Sequence, residues 1–201
     1  MVMRHLIRLG LVLVLLPLPV PATMVDAPDI DSLINQSDYI VRVVVRSATP
    51  EWREHAGRRY IGTKVVLEIR EVVKGAPPAP LVLDLIGGRI GQDELVIEGM
   101  PVFHAGEQHV LFVHGKQRNM IPLVALMHGV YPIIREGPTG EEFVFRSNGQ
   151  PLFRAQDVSQ SMTEPRVGQQ PATPARPLTA AAFISQIRER VAAQSPAQRE
   201  K

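Results

Sequence analysis

Apolar and polar residues alternate along much of this chain with the two-residue period of a half-buried β-strand. In residues 39–47, Tyr39, Val41, Val43 and Val45 fall on one face, and the opposite face includes Arg42 and Arg46. Residues 60–73 repeat the pattern: Val65, Leu67 and Ile69 face one way, Lys64, Glu68 and Arg70 the other. The run stops at Lys74-Gly75-Ala76-Pro77-Pro78, where glycine and proline break the extended chain. Residues 81–86 read as a third strand, 87–91 (GGRIG) as a turn, and 94–98 as a short fourth strand. Residues 108–114 differ, because Val110, Leu111, Phe112 and Val113 are apolar on both faces. Such a strand lies between two layers, so something must cover its outer side. Further strands are expected over 121–126, 129–134 and, past the hairpin signal Glu136-Gly137-Pro138-Thr139-Gly140, over 142–146.

Helical patterning occurs near the two ends. Residues 29–37 (DIDSLINQS) read as a short helix or turn. A polar stretch over 159–177, carrying Pro165, Pro171, Pro174 and Pro177, reads as a semi-extended linker. Thr179 then caps a helix running to about Ala193, with Phe183, Ile184, Ile187 and Val191 as its apolar stripe. This helix is the candidate cover for the two-faced strand. Short strands joined by turns, with no helix between them, predict a mainly β fold built as an antiparallel barrel or sandwich. The expected division is a signal segment 1–22, a β-barrel domain 23–158, a Pro-rich linker 159–177 and a C-terminal amphipathic helix 178–195.

The first 22 residues carry a different pattern. Arg4, His5 and Arg8 precede an apolar run from Leu9 to Leu16, and Pro17, Pro19 and Pro21 lead to Ala22. That is the order of a secretory signal peptide: basic region, apolar region, small-residue cleavage site. A membrane anchor wants about 20 uninterrupted apolar residues, and proline breaks this run after Leu16. The expectation is a secreted or periplasmic protein whose mature chain starts at Thr23 and keeps no stable membrane insertion. Removing 1–22 from the 201 residues leaves 179. It also takes Arg4 and Arg8 from the 22 Lys and Arg, so 20 basic residues balance 20 acidic ones. A neutral mature chain argues against a nucleic-acid partner and against a polybasic hold on anionic membranes. The chain has no cysteine, which excludes disulfides, thiolate zinc sites, iron–sulfur clusters and cysteine nucleophiles.

Three stretches belong together: Asp38-Tyr39-Ile40-Val41-Arg42-Val43-Val44-Val45, then Val66-Leu67-Glu68-Ile69-Arg70-Glu71-Val72-Val73-Lys74-Gly75, then Gly106-Glu107-Gln108-His109-Val110-Leu111-Phe112-Val113. They resemble the netrin-like OB-fold barrels, the group that includes the tissue inhibitors of metalloproteinases. The layout is also similar to that of secreted bacterial proteins in which a barrel precedes a Pro-rich linker and one terminal helix. The resemblance implies an OB-like barrel over about residues 37–115. Those inhibitors reach the protease zinc through an N-terminal cysteine, and here Thr23 stands at the expected mature terminus. No inhibitory residue carries over, and fold alone does not assign function.

Candidate chemistry is sparse. His104, His109 and His114 recur every five residues, but an odd spacing on a strand points His109 and His114 to opposite faces. Residues 87–91 lack the Lys-Ser/Thr ending and following helix of a phosphate loop. No Gly-x-Ser-x-Gly elbow is present. The stretch that stands out is the connection between the first two strands, residues 49–60. It carries the sole tryptophan, Trp52, with Arg53, Arg58, Arg59 and Tyr60. Tryptophan and arginine are enriched at binding hot spots, and the loop joining strands 1 and 2 is a usual ligand contact in OB-folds. The leading expectation is an exported non-catalytic module, without cofactor or metal. It would bind another exported or envelope protein, a protease among the candidates, through Trp52, Arg53, Arg58, Arg59 and Tyr60. A saccharide- or anion-binding barrel is one alternative. A hydrolase using His104 or His128 with Glu107 is another.

Overall fold

The computed structural model describes residues 27–115, 121–138, 140–160, 162 and 176–194. The expected signal segment 1–22 and most of the expected linker 159–177 lie outside the described residues. Helix α1, Ile30–Gln36, starts where the Asp29 carboxylate accepts a hydrogen bond from the Ser32 amide at 2.6 Å. That contact is an N-cap, and it holds the Asp29 carboxyl below its ordinary pKa. The helix ends at Ser37, whose hydroxyl donates to the Leu33 carbonyl.

Eight strands follow among the described residues: β1 (Tyr39–His55), β2 (Arg58–Lys74), β3 (Leu81–Ile86), β4 (Gly88–Ile90), β5 (Asp93–Leu95), β6 (Gln108–Val113), β7 (Val130–Glu136) and β8 (Glu141–Val144). Six of them form one sheet in the order β3-β2-β1-β6-β7-β8, with every neighbouring pair antiparallel. Strands β4 and β5 form a separate hairpin. The β1–β2 pair runs 17 residues on each side and contains three register shifts, at Ile40/Val41, Arg42/Val43 and Val45/Ser47. Bulges of this kind bend a strand and strengthen its twist.

Two cores result, one on each side of the sheet. On one side Ile40, Val110, Phe112 and Tyr131 meet α1 and a second helix, α2 (Ala180–Gln194), through Leu33, Phe183 and Ile187. On the other side Val41, Val43, Val65, Leu83 and Leu111 pack with Phe103 and Leu123. The expected cover for the two-faced strand is therefore in place: α2 lies over Val110 and Phe112.

Other expectations need correction. The sheet does not close into a barrel, because no ladder joins β3 to β8 among the described residues. Instead the edge of β8 is capped by the chain entering α2, where the Val144 amide donates to the Leu178 carbonyl at 2.9 Å. The helices then cover one face as a separate layer. The turn expected at 87–91 is largely strand, since Gly88–Ile90 pairs with Asp93–Leu95. The fourth strand expected over 94–98 thus ends at Leu95. No strand forms over 121–126. Leu123 makes one isolated bridge to Val113, and Ala125 and Leu126 turn the chain at φ +50° and +54° into a 3₁₀ turn, Leu126–Gly129. Gly129 is required there, as a Cβ would lie 2.3 Å from the Val124 carbonyl oxygen. Among the described residues no helix is long and apolar enough to cross a membrane.

Candidate functional site

Residues 49–60 are not a loop. They continue β1 and β2 into a two-stranded ribbon that pairs through Glu51↔Gly62, Trp52↔Ile61, Arg53↔Tyr60, Glu54↔Arg59 and His55↔Arg58. Ala56 and Gly57, at φ +50° and +73°, make the two-residue reversal, the left-handed geometry that matches strand twist. Cross-strand partners share a face, so the ribbon sorts the expected residues into two sets. Trp52 and Arg59 lie on one face, where the Arg59 guanidinium sits 4.6 Å from the centre of the indole ring. Arg53, Arg58 and Tyr60 lie on the other.

Arg53 is committed elsewhere. Its Nη2 donates to Glu51 Oε1 and to Asp84 Oδ1 on β3, both at 2.6 Å. The Asp84 hydrogen bond is the main cause of its raised pKa. Its aliphatic stem lies over Gly62, where a Cβ would come within 2.7 Å of Arg53 Cδ. Arg53 therefore fastens the ribbon to β3, while Trp52, 42% exposed, and Arg59 remain open to solvent.

Following the Trp52 face inward leads to a feature that no local stretch of sequence announces. Ala48 and Pro50 of β1 and Thr63 and Val65 of β2 share this face, and all four line a cavity of about 340 Å³. The remaining wall comes from the end of β3, the β4–β5 hairpin and residues 96–104. Close packing fixes that wall. Thr63 Oγ1 donates to the Gly87 carbonyl at 2.7 Å, and a Cβ on Gly88 would lie 2.6 Å from the same hydroxyl oxygen. At the rim Val96 and Val102 are each 76% exposed. Arg89 and Glu94 oppose each other across the hairpin and also line the cavity. Neither side chain forms an ion pair or hydrogen bond among the described residues.

The histidines take separate roles. His109 is buried on β6, with its ring 5.1 Å from that of Phe103 in an edge-on arrangement. Its Nε2 lies 3.3 Å from Glu107 Oε2, which also accepts from the His104 amide at 2.8 Å. Burial lowers the His109 pKa, and Glu107 only partly opposes this. Glu107 thus serves the imidazole of His109 and the backbone of His104, not the His104 imidazole. His128 sits in the 3₁₀ turn, its pKa lowered by burial and by Arg146. Arg146 is itself buried and donates to Gln150 Oε1 at 3.3 Å and to the Gln160 carbonyl, tying down the chain that follows β8. Among the described residues no three His, Asp or Glu side chains come together in a way that could hold a metal ion.

No protein-family model, curated protein or solved structure matches this chain.

Proposed function

We propose that this protein is an exported, non-catalytic binding module that engages another exported or envelope protein through the outer end of the β1–β2 ribbon. One observation carries the reading: the sole tryptophan stands 42% exposed beneath the Arg59 guanidinium, on a ribbon that Arg53 braces against β3. A large aromatic held rigid by a stacked cation gives contact area at little entropic cost, which is how binding hot spots are built. The signal-type pattern of residues 1–22 supports export. The resemblance to netrin-like barrels adds secreted proteases to the candidate partners. Within the expected set, Trp52 and Arg59 make the contact, Arg53 positions them, and Arg58 and Tyr60 shape the opposite face.

The test captures proteins from the extracellular and envelope fractions of the producing cells on the immobilised protein, then titrates each captured protein after purification. The Trp52→Ala/Arg59→Ala double variant should bind about thirtyfold more weakly, the effect of losing one hot spot. Equal binding overturns the reading. Calorimetry with envelope glycans is the parallel arm, and saturable heats there without any captured protein favour the saccharide alternative. Turnover above background on esterase, glycosidase or protease substrates refutes the non-catalytic assignment. Mass spectrometry of the exported chain should find it starting at Thr23.

A further inference from the structure

We propose that the cavity beneath the β4–β5 hairpin is a binding site for a single-chain alkyl carboxylate of medium length, its tail inside and its head group at Arg89. The walls are apolar where they are deepest: Val65, Leu85 and Phe103 belong to the buried core on this side of the sheet. The Thr63 hydroxyl has already placed its proton on the Gly87 carbonyl, so it presents no unspent donor to an entering chain. A volume of about 340 Å³ lies within the range of small-ligand sites and equals that of about eleven liquid waters. That suits one alkyl chain and is too small for a two-chain lipid.

The rim distinguishes this cavity from a packing defect. Val96 and Val102, each 76% exposed, leave apolar surface around the mouth that solvent alone does not favour. An entering chain would remove that surface from water. Beside them Arg89 has no side-chain partner among the described residues, so all its donors are available to a carboxylate. Glu94, its cross-strand neighbour, is the opposing charge at the mouth. It makes a sharper prediction possible, since the two charges must act on an anionic head group with opposite sign.

Titration calorimetry of the purified protein with dodecanoate and with dodecanol, both below their aggregation concentrations, tests the assignment. Wild type is expected to bind one dodecanoate per chain. Arg89→Gln should weaken dodecanoate three- to fivefold, the range for an exposed ion pair. Glu94→Gln should strengthen it about twofold, and neither should change dodecanol binding. Ala48→Phe, which places a ring in the cavity, should weaken both ligands at least tenfold. Should Ala48→Phe fail to fold, the two hairpin variants carry the test alone, because Arg89 and Glu94 are exposed and bury nothing. Absence of saturable dodecanoate binding overturns the proposal, as does an equal response of dodecanoate and dodecanol to Arg89→Gln.

Discussion

Replacing Phe183 by alanine asks whether α2 belongs to the core or merely rests on it. The Phe183 side chain is fully buried, and its ring lies 5.1 Å from that of Tyr131 on β7. Its neighbours in the cluster include Ile184 and Ile187 of α2, Phe112 of β6 and Leu33 of α1. Truncating a phenylalanine at such a site costs about 3–5 kcal/mol, the sum of lost transfer energy and the cavity left behind. The aromatic pair with Tyr131 puts the expectation in the upper part of that range, about 4 kcal/mol. Total stability for a domain is about 5–15 kcal/mol, so this one change removes roughly a quarter or more. At about 2–4 °C per kcal/mol for a chain of this size, the melting temperature should fall by about 10 °C. Urea unfolding followed by far-ultraviolet circular dichroism measures the difference directly. Ile134→Ala, at an exposed position, is the control and should lie within about 0.5 kcal/mol of wild type. A loss below about 1 kcal/mol for Phe183→Ala, at an unchanged urea slope, would refute the placement of α2 over the sheet.

Other consequences are open to measurement. A double-mutant cycle on Arg53 and Asp84, both partly solvent-exposed, should give a coupling of about 0.5–1 kcal/mol that shrinks in high salt; zero coupling would detach the ribbon from β3. Gly75→Ala should cost about 2–4 kcal/mol, because φ is +78° and the new Cβ would meet the Asp38 carbonyl oxygen at 2.1 Å. Gly91→Ala, at φ +62° with nothing within 4 Å, should cost only about 1 kcal/mol, and denaturation midpoints would show the gap. Burial depresses the His109 pKa below 6.5, so the unfolded chain takes up its proton first as pH falls. The His109 contribution is therefore intact above that value and declines below it. His109→Gln should flatten part of the acid slope in a melting-temperature series, His128 keeping its own share. An unchanged slope would contradict the burial of His109.

The parts of the fold that show in the sequence are those where one segment determines its own environment. Val110-Leu111-Phe112-Val113 can only be a strand with apolar neighbours on both sides, and the stripe Phe183, Ile184, Ile187 can only be a helix seeking such a face. The ribbon was hidden because residues 49–55 have no core to face. Their backbone pairs with β2 on one side only, and the Arg53 brace to β3 leaves no alternation of burial to read. The 3₁₀ turn was hidden for another reason. Ala125 and Leu126 adopt left-handed backbone angles that neither residue favours, beside a long-range contact in which the Met127 amide donates to the Gly99 carbonyl. At the candidate site, Trp52 and Arg59 were identifiable by type, but their pairing required the register. Arg53 looked equivalent to its neighbours until Asp84, 31 residues away, claimed it. The cavity draws its walls from β1, β2, β3 and residues 88–104 at once, and no single stretch among them carries its outline.

One face of the sheet is closed by helices drawn from opposite ends of the chain. Gln194 of α2 reaches Asp31 of α1 across 163 residues, and Arg190 approaches the same carboxylate. A ribosome delivers α1 before the strands of the sheet and α2 after them. Until α2 has emerged, Val110, Phe112 and Tyr131 have only α1 against them, and part of that face of the sheet stays open. Loop closure on this scale is slow, and uncovered apolar strands are what chaperones bind. The order of the elements thus acts as a timer. It holds the nascent chain short of its final state until α2 has been made.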